Sequence, residues 1–275
     1  MGNLAGQTVV ITGGSRGIGR AIALKCAKDG AQVVLASKTA EPHPKLPGTI
    51  HTVAAEVEAA GGQALPLQVD IRYDDQVEAM VQKTVETFGG IDVMINNAGA
   101  INLTDVSSTP MKRYDLMQQV NVRGAYMCAA ACLPHLKKST NGHIINLSPP
   151  VSLDPKWLKG HVAYTLSKYG MTLSALGMSE EFKDFGIAVN SLWPRTIIAT
   201  AAVNWLMGDD GMKNSRTPEI MADAVYEVIT TEGCTVTGQM LLDEDFLRTR
   251  GVTDFSKYLS HPEGHPLPDL YVEPS

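Results

Sequence analysis

Tyr164-Thr165-Leu166-Ser167-Lys168 places a phenol and an ammonium at i and i+4, a spacing that puts both on one face of a helix. A free tyrosine gives up its proton near ~10, so alone it is a poor base at neutral pH. Lowering that by about three units requires ~4 kcal/mol of preference for the phenolate. One positive charge ~4 Å away supplies about that much at an effective dielectric near 20. A phenol tuned in this way can pass a proton to or from a substrate oxygen while hydride moves at carbon. Lys168 can also donate to ribose hydroxyls. By itself the pair would read as a surface helix pair; its force comes from the elements around it.

Those elements begin with Val9-Val10-Ile11-Thr12-Gly13-Gly14-Ser15-Arg16-Gly17-Ile18-Gly19, which reads as a buried strand, a glycine-rich turn and a helix. Gly13 permits a sharp turn, Gly17 lets a pyrophosphate approach the backbone, and Gly19 lets helix and strand pack closely. Free N–H groups at the helix start then meet the negative charge. Further strands are expected at 8–11, 32–36, 64–69, 91–95, 143–147, 188–192 and 239–242, with helices at 18–29, 52–60, 75–88, 111–137, 162–185 and 218–230. This alternation implies an α/β, Rossmann-type three-layer sandwich: a seven-stranded, mainly parallel sheet with helices on both faces. Tyr164 and Lys168 fall between its fifth and sixth strands.

Residues 1–260 read as a single dinucleotide-binding domain and 261–275 as a proline-rich tail, an extended surface or inter-subunit arm. A second interruption, Glu41-Pro42-His43-Pro44-Lys45-Leu46-Pro47-Gly48, follows the second strand, where three prolines exclude regular helix.

The end of the second strand selects the cofactor. An acidic residue there would bond the adenosine 2′-hydroxyl, but this chain has Ala36-Ser37-Lys38. A carboxylate would repel a 2′-phosphate of roughly two negative charges; Lys38 and Arg16 attract it and Ser37 can donate to it. NADP(H) is therefore expected over NAD(H), the bland alternative being a solvated Lys38. Asp70, with Ile71 beside it, is a candidate for the adenine amine, or equally a helix cap. Asn96-Asn97-Ala98-Gly99 lets the backbone run beside the cofactor and lets Asn96 tie neighbouring strands.

With these motifs in this order, the chain resembles the short-chain dehydrogenase/reductase family from about Leu4 to Leu242. The resemblance implies cofactor contacts from Thr12, Gly13, Ser15, Arg16, Gly17, Ile18 and Gly19, and adenine and strand-stabilising roles for Asp70, Asn97, Ala98 and Gly99. It also implies a proton relay through Asn121, and catalysis by Tyr164 and Lys168. Residues 36–46, Asn146-Leu147-Ser148-Pro149-Pro150, Trp193-Pro194-Arg195-Thr196 and Gly264-His265-Pro266-Leu267-Pro268-Asp269 are similar to a hydroxysteroid-dehydrogenase-like branch of that family. Some of its members continue into a sterol-carrier domain, before which this sequence ends, and some are peroxisomal.

The chain departs from the family pattern in two places. Pro149 stands where a second serine would orient the substrate carbonyl, and proline has no hydroxyl. Ser148 is preferred for that role, with Ser152 the alternative. Pro194-Arg195 replaces Pro-Gly, leaving Thr196 and Thr200 both open as the nicotinamide contact. Residues 197–212, with Trp205, Leu206, Met207 and Met212, suggest an apolar, adaptable substrate lid or, as readily, core or interface packing. His161 is read as a helix-start polar residue.

A net charge of −6 disfavours nucleic acid. Four separated cysteines read as reduced thiols, and no metal site is expected. Without an apolar leader or membrane-length run, a cytoplasmic placement is expected. The expected activity is NADP(H)-dependent alcohol/carbonyl interconversion on an apolar small molecule. The competing reading is an NADP(H)-binding sensor or scaffold with little turnover. The apolar helices 111–137 and 162–185 suggest a homodimer or homotetramer.

Overall fold

The computed structural model describes residues 3–43 and 46–273, together with the backbone but not the side chain of Cys234. The sequence readings at Pro44, Lys45, Pro274 and Ser275, and for the Cys234 thiol, lie outside the described residues.

Seven strands form one sheet: β1 (Thr8–Thr12), β2 (Gln32–Ser37), β3 (Gln63–Gln68), β4 (Val93–Asn96), β5 (His143–Leu147), β6 (Ala188–Trp193) and β7 (Met240–Leu242). Their order is β3-β2-β1-β4-β5-β6-β7, and every pairing is parallel. The strands β1, β4, β5 and β6 are buried along their whole length, as a sheet covered on both faces requires. Side chains alternate between those faces. Val9 and Ile11 join Ile22, Cys26 and Val225 in one core, while Val10 and Met94 join Val77, Cys128 and Ala175 in the other.

The covering helices are α1 (Gly17–Ala27), α2 (Ile50–Ala59), α3 (Asp74–Phe88), α4 (Met111–Met117), α5 (Ala125–Leu136), α6 (Val162–Glu181), α7 (Ala201–Lys213), α8 (Glu219–Ile229) and α9 (Asp243–Thr249). The strand order reverses between β1 and β4, so a crevice opens at their carboxyl ends.

Three features correct the sequence reading. The helix expected over 111–137 is interrupted by a π-helical segment, Gln118–Gly124, with Asn121 at its centre. Such bulges re-aim side chains and recur at functional sites. A thirteen-residue helix, α7, occupies most of the expected lid, kinked at Gly208 where φ is 62°. The tail, read as an extended surface or inter-subunit arm, has Tyr271 and Val272 buried against Tyr164, Tyr169 and Trp193 of the same chain. Among the described residues no helix is long and apolar enough to cross a membrane.

Candidate active site

The crevice is a cleft of about 850 Å³ walled by the β1–α1 turn, the ends of β2 and β3, the segment after β4, and the start of α7. Gly13 turns with φ +70°, a conformation glycine adopts at little cost. A Cβ on Gly19 would stand 2.5 Å from the Gly13 carbonyl oxygen, so α1 can start against this turn only because Gly19 has none. Thr12 lies behind the turn, donating through Oγ1 to the Ile95 carbonyl at 3.3 Å and accepting from Asn97 and Ala98 N–H, both at 3.1 Å. Asn97 Nδ2 donates to the Thr12 and Gly13 carbonyls at 2.8 and 3.1 Å. Asn96 bridges to Asn146 Oδ1 on β5 at 2.8 Å.

Of the expected cofactor residues, Gly13, Ser15, Arg16, Gly17, Ile18, Ser37, Lys38, Asp70, Ile71, Asn97, Ala98, Gly99 and Thr200 line this cleft. Thr12, Gly19, Pro194, Thr196, Tyr164 and Lys168 lie behind or beyond its wall. Ser15 Oγ and Ser37 Oγ meet at 3.2 Å. The Arg16 guanidinium donates to the carbonyls of Pro47 and Gly48, both at 3.1 Å, which pins the end of the proline-rich insertion to the cleft rim. Asp70 is gripped by Arg72, whose Nε and Nη2 lie 3.0 and 2.6 Å from Oδ2. That bond, ahead of weaker attraction from Lys38, holds the Asp70 carboxyl below the usual range. Lys38 Nζ is 3.9 Å from Asp70 with its side chain 61% exposed. Such an exposed pair contributes ~0–1 kcal/mol, too little to keep Lys38 from a doubly charged phosphate. A small-residue turn, a converging set of N–H, hydroxyl and cationic donors, and a buried Thr196 Oγ1 with no partner fit a phosphorylated dinucleotide.

Just past Gly99, the Lys168 Nζ and Asn121 Oδ1 atoms lie 3.8 and 3.7 Å from the position a Cβ would take, and Tyr164 lies one helical turn before Lys168 on α6. Asn121 is fully buried. Its Oδ1 accepts from Ala100 N–H at 2.7 Å, and its Nδ2 donates to the Ala100 carbonyl and Ser167 Oγ, both at 2.9 Å. Lys168 donates to the Leu147 carbonyl at 2.7 Å and lies under the Trp193 ring, 5.2 Å from its centroid. Burial lowers the Lys168 ammonium to about 8, against an opposing pull from Asp269. Tyr164 is 5% exposed. Burial first, then Tyr271 and Asp269, push its hydroxyl well above the ordinary value. The sequence reading has Lys168 lowering this phenol; the ammonium is bonded to the Leu147 carbonyl, and burial acts on the phenol in the other direction.

Ser148, preferred as the carbonyl-orienting residue, is fully buried, and its Oγ accepts from Thr172 Oγ1 at 2.8 Å, two helical turns beyond Tyr164. Ser152 turns its hydroxyl to Asp154 N–H at 3.3 Å. Arg195 adopts no left-handed backbone. Its N–H donates to Asp243 Oδ1 at 2.8 Å and its guanidinium forks onto Asp245 at 2.8 and 2.5 Å. Thr200 caps α7 through Val203 N–H at 3.5 Å. His161 sits at the start of α6, its Nε2 buried without a partner.

The lid residues reach the cleft as part of α7. Ala201, Ala202, Asn204, Trp205 and Met212 line it, with Trp205 74% exposed. Cys26, Cys128 and Cys132 are buried free thiols. Sequence reasoning missed Arg72, Trp193, Asp269 and Tyr271. The only signal for the last two was a tail rich in prolines, which says nothing of where it docks.

A family model described as short chain dehydrogenase matches residues 7–207. Hydroxysteroid dehydrogenase-like protein 2 of Danio rerio is 56% identical over 99% of this chain; the chain spans 65% of that relative's length. A crystal structure of a provisionally assigned dehydrogenase from Xanthomonas campestris superimposes with a TM-score of 0.96 at 55% identity, covering 99% of this chain and 100% of that one. A metagenomic short-chain oxidoreductase solved in complex with NADP has a TM-score of 0.72 at 28% identity, covering 87% of this chain and 97% of its own.

Proposed function

The chain belongs to the short-chain dehydrogenase family, and from that premise we propose that it is an NADP(H)-dependent oxidoreductase interconverting an alcohol and a carbonyl on an apolar small molecule. The observation that carries this is the placement of Lys168 and Asn121 beside Gly99 at the end of the cleft, with Tyr164 one helical turn before Lys168 on α6.

When bound, the nicotinamide cofactor supplies or takes the hydride. Gly13, Ser15 and Gly17 would hold its pyrophosphate, and Arg16, Ser37 and Lys38 its 2′-phosphate. Asp70 and Ile71 would border the adenine. Pro194, Thr196 and Thr200 would flank the nicotinamide end, where the unpartnered Thr196 hydroxyl supports such a contact. Tyr164 gives its proton to the carbonyl oxygen in reduction and recovers it in oxidation. Lys168 supplies positive charge and ribose contacts, and Asn121 holds the π-helical segment in register with Ser167 and the loop at Ala100. Trp205, Leu206 and Met207 offer an apolar surface beside the cleft, supporting an apolar substrate. Exposed Tyr126 on α5 and Leu166 and Leu173 on α6 support a homo-oligomer. Cytoplasmic placement stays with the proposal.

One observation favours a cofactor-binding protein with little turnover: Pro149 stands where a second serine would orient the carbonyl, and it has no hydroxyl. Fluorescence titration with NADPH and NADH, followed by turnover on a panel of apolar carbonyls and alcohols, separates the readings. Turnover that disappears in Tyr164→Phe while NADPH binding persists supports the enzyme. Tight NADPH binding with no turnover on any member of the panel supports the alternative.

A further inference from the structure

We propose that Asp269 is a third member of the Tyr164–Lys168 group, a positioning carboxyl that the C-terminal tail lays against the pair and that draws the Lys168 charge to itself when ionised. The proposal rests on Tyr164 being the proton-transfer group.

The tail lies beyond residues 7–207, where the family model matches. Its path is fixed on both sides of Asp269. Before it, Leu267 accepts from Ile197 N–H at 2.9 Å, Pro268 bridges to Thr196, and Asp269 N–H donates to the Arg195 carbonyl at 3.1 Å. After it, Trp193 Nε1 donates to the Leu270 carbonyl at 2.9 Å, and the Tyr271 hydroxyl meets Thr165 Oγ1 at 3.1 Å. Thr165 directly follows Tyr164. The Tyr271 ring packs 5.4 Å from Tyr169 and 6.1 Å from Trp193, the same ring that covers Lys168. Tyr271 holds φ at +70°, the only non-glycine among the described residues to do so. A tyrosine keeps such a conformation only where its surroundings over-determine it.

Asp269 therefore cannot swing freely. One carboxyl oxygen accepts from Leu270 N–H at 2.6 Å, and the residue keeps part of its surface accessible. Its neighbour Leu270 is bonded to the same Trp193 ring that covers Lys168, and the ionisable groups that interact electrostatically with it are Tyr164 and Lys168 on α6, Asp243 at the start of α9, and Tyr271 on the tail itself. Arg195 offers only its backbone here, since its guanidinium is bonded to Asp245. Burial, with some help from Asp243, raises Asp269 to about 7, against the Leu270 N–H bond first and a smaller pull from Lys168. Protonated, Asp269 leaves the ammonium to act on the phenol. Ionised, it releases its proton to solvent, competes for that ammonium, and raises the proton affinity of Tyr164 and Lys168 together.

Two measurements test this. With ¹³C-labelled aspartate, the carboxyl signal that is lost in Asp269→Asn should titrate near 7 in the wild type, and higher by about one unit in Lys168→Met. A signal that titrates near the ordinary ~4, or that ignores Lys168→Met, overturns the proposal. Asp269→Asn keeps the acceptor for Leu270 N–H and removes the charge. Both neighbours then release protons more easily, so the pH window for alcohol oxidation should move down by about one unit, a tenfold effect on its acid limb. An unmoved window, or an equal loss of rate at every pH with a lowered melting temperature, assigns the tail a structural role only and also overturns it. Wild-type turnover in Tyr164→Phe would defeat the parent reading instead, and the titration still reports on Asp269 independently.

Discussion

The two ends of the cleft are built in different ways. At the adenosine end, the expected contacts cluster at the carboxyl ends of strands: the β1–α1 turn and the start of α1, Ser37-Lys38 at the end of β2, Asp70 just past β3, and Asn97-Ala98-Gly99 after β4. A parallel sheet brings such positions together whatever the rest of the chain does. At the acid/base end, the neighbours of Tyr164 come from the middle of a broken helix, the end of β6 and a tail more than a hundred residues further along. Binding geometry can thus be carried by short motifs, whereas the environment that sets a proton affinity is assembled from distant parts.

Substitutions at the two ends should separate these roles. Tyr164→Phe should have the largest effect, lowering kcat/KM by about 10²–10⁴ while the Kd for NADPH stays at the wild-type value. Gly19→Val should do the reverse. Its side chain would collide with the Gly13 carbonyl oxygen, 2.5 Å from where its Cβ must stand. A loss of ~1–3 kcal/mol should appear in both melting temperature and NADPH affinity, and unchanged affinity would mean that the turn does not hold the pyrophosphate. Lys38→Ala should weaken NADPH about tenfold, the low end of a charge-assisted hydrogen bond worth ~1.5–3 kcal/mol, with NADH unaffected. Equal losses for the two cofactors would count against a 2′-phosphate contact. Ser148→Ala should be mildest, costing ~1 kcal/mol of stability through the lost Thr172 bond and leaving turnover within a few-fold. A loss of 10²–10³ in rate would restore Ser148 as the carbonyl-orienting donor.

The seven-stranded, mainly parallel sheet was legible because its inner strands are continuous apolar runs, the pattern of a doubly covered parallel sheet. The glycine turn and Asn96-Asn97-Ala98-Gly99 were legible because their roles depend on local backbone geometry. The π-helical segment was not, since Gln118–Gly124 keeps an ordinary helical pattern and its extra residue is set by packing. A Cβ on Gly170 of α6 would meet Val122 at 3.0 Å, which shows how tightly that segment presses on α6. The helix α7 was obscured by Gly208 and Gly211. The first turn of α9, with Asp243, Glu244 and Asp245, carried a usable signal, acidic residues at a helix N-terminus.

The sequence alone determined the sheet, the cleft at its switch point and the pairing of a phenol with an amine one helical turn apart. These follow from periodicity and spacing, which act over a few residues. Only the tertiary structure decided that Ser148 faces Thr172, that Lys168 bonds the Leu147 carbonyl, and that the tail returns to pack Tyr271 with Tyr164 and Trp193. Proton affinity depends on which charges and how much water surround a group in space, and no stretch of chain contains that information by itself.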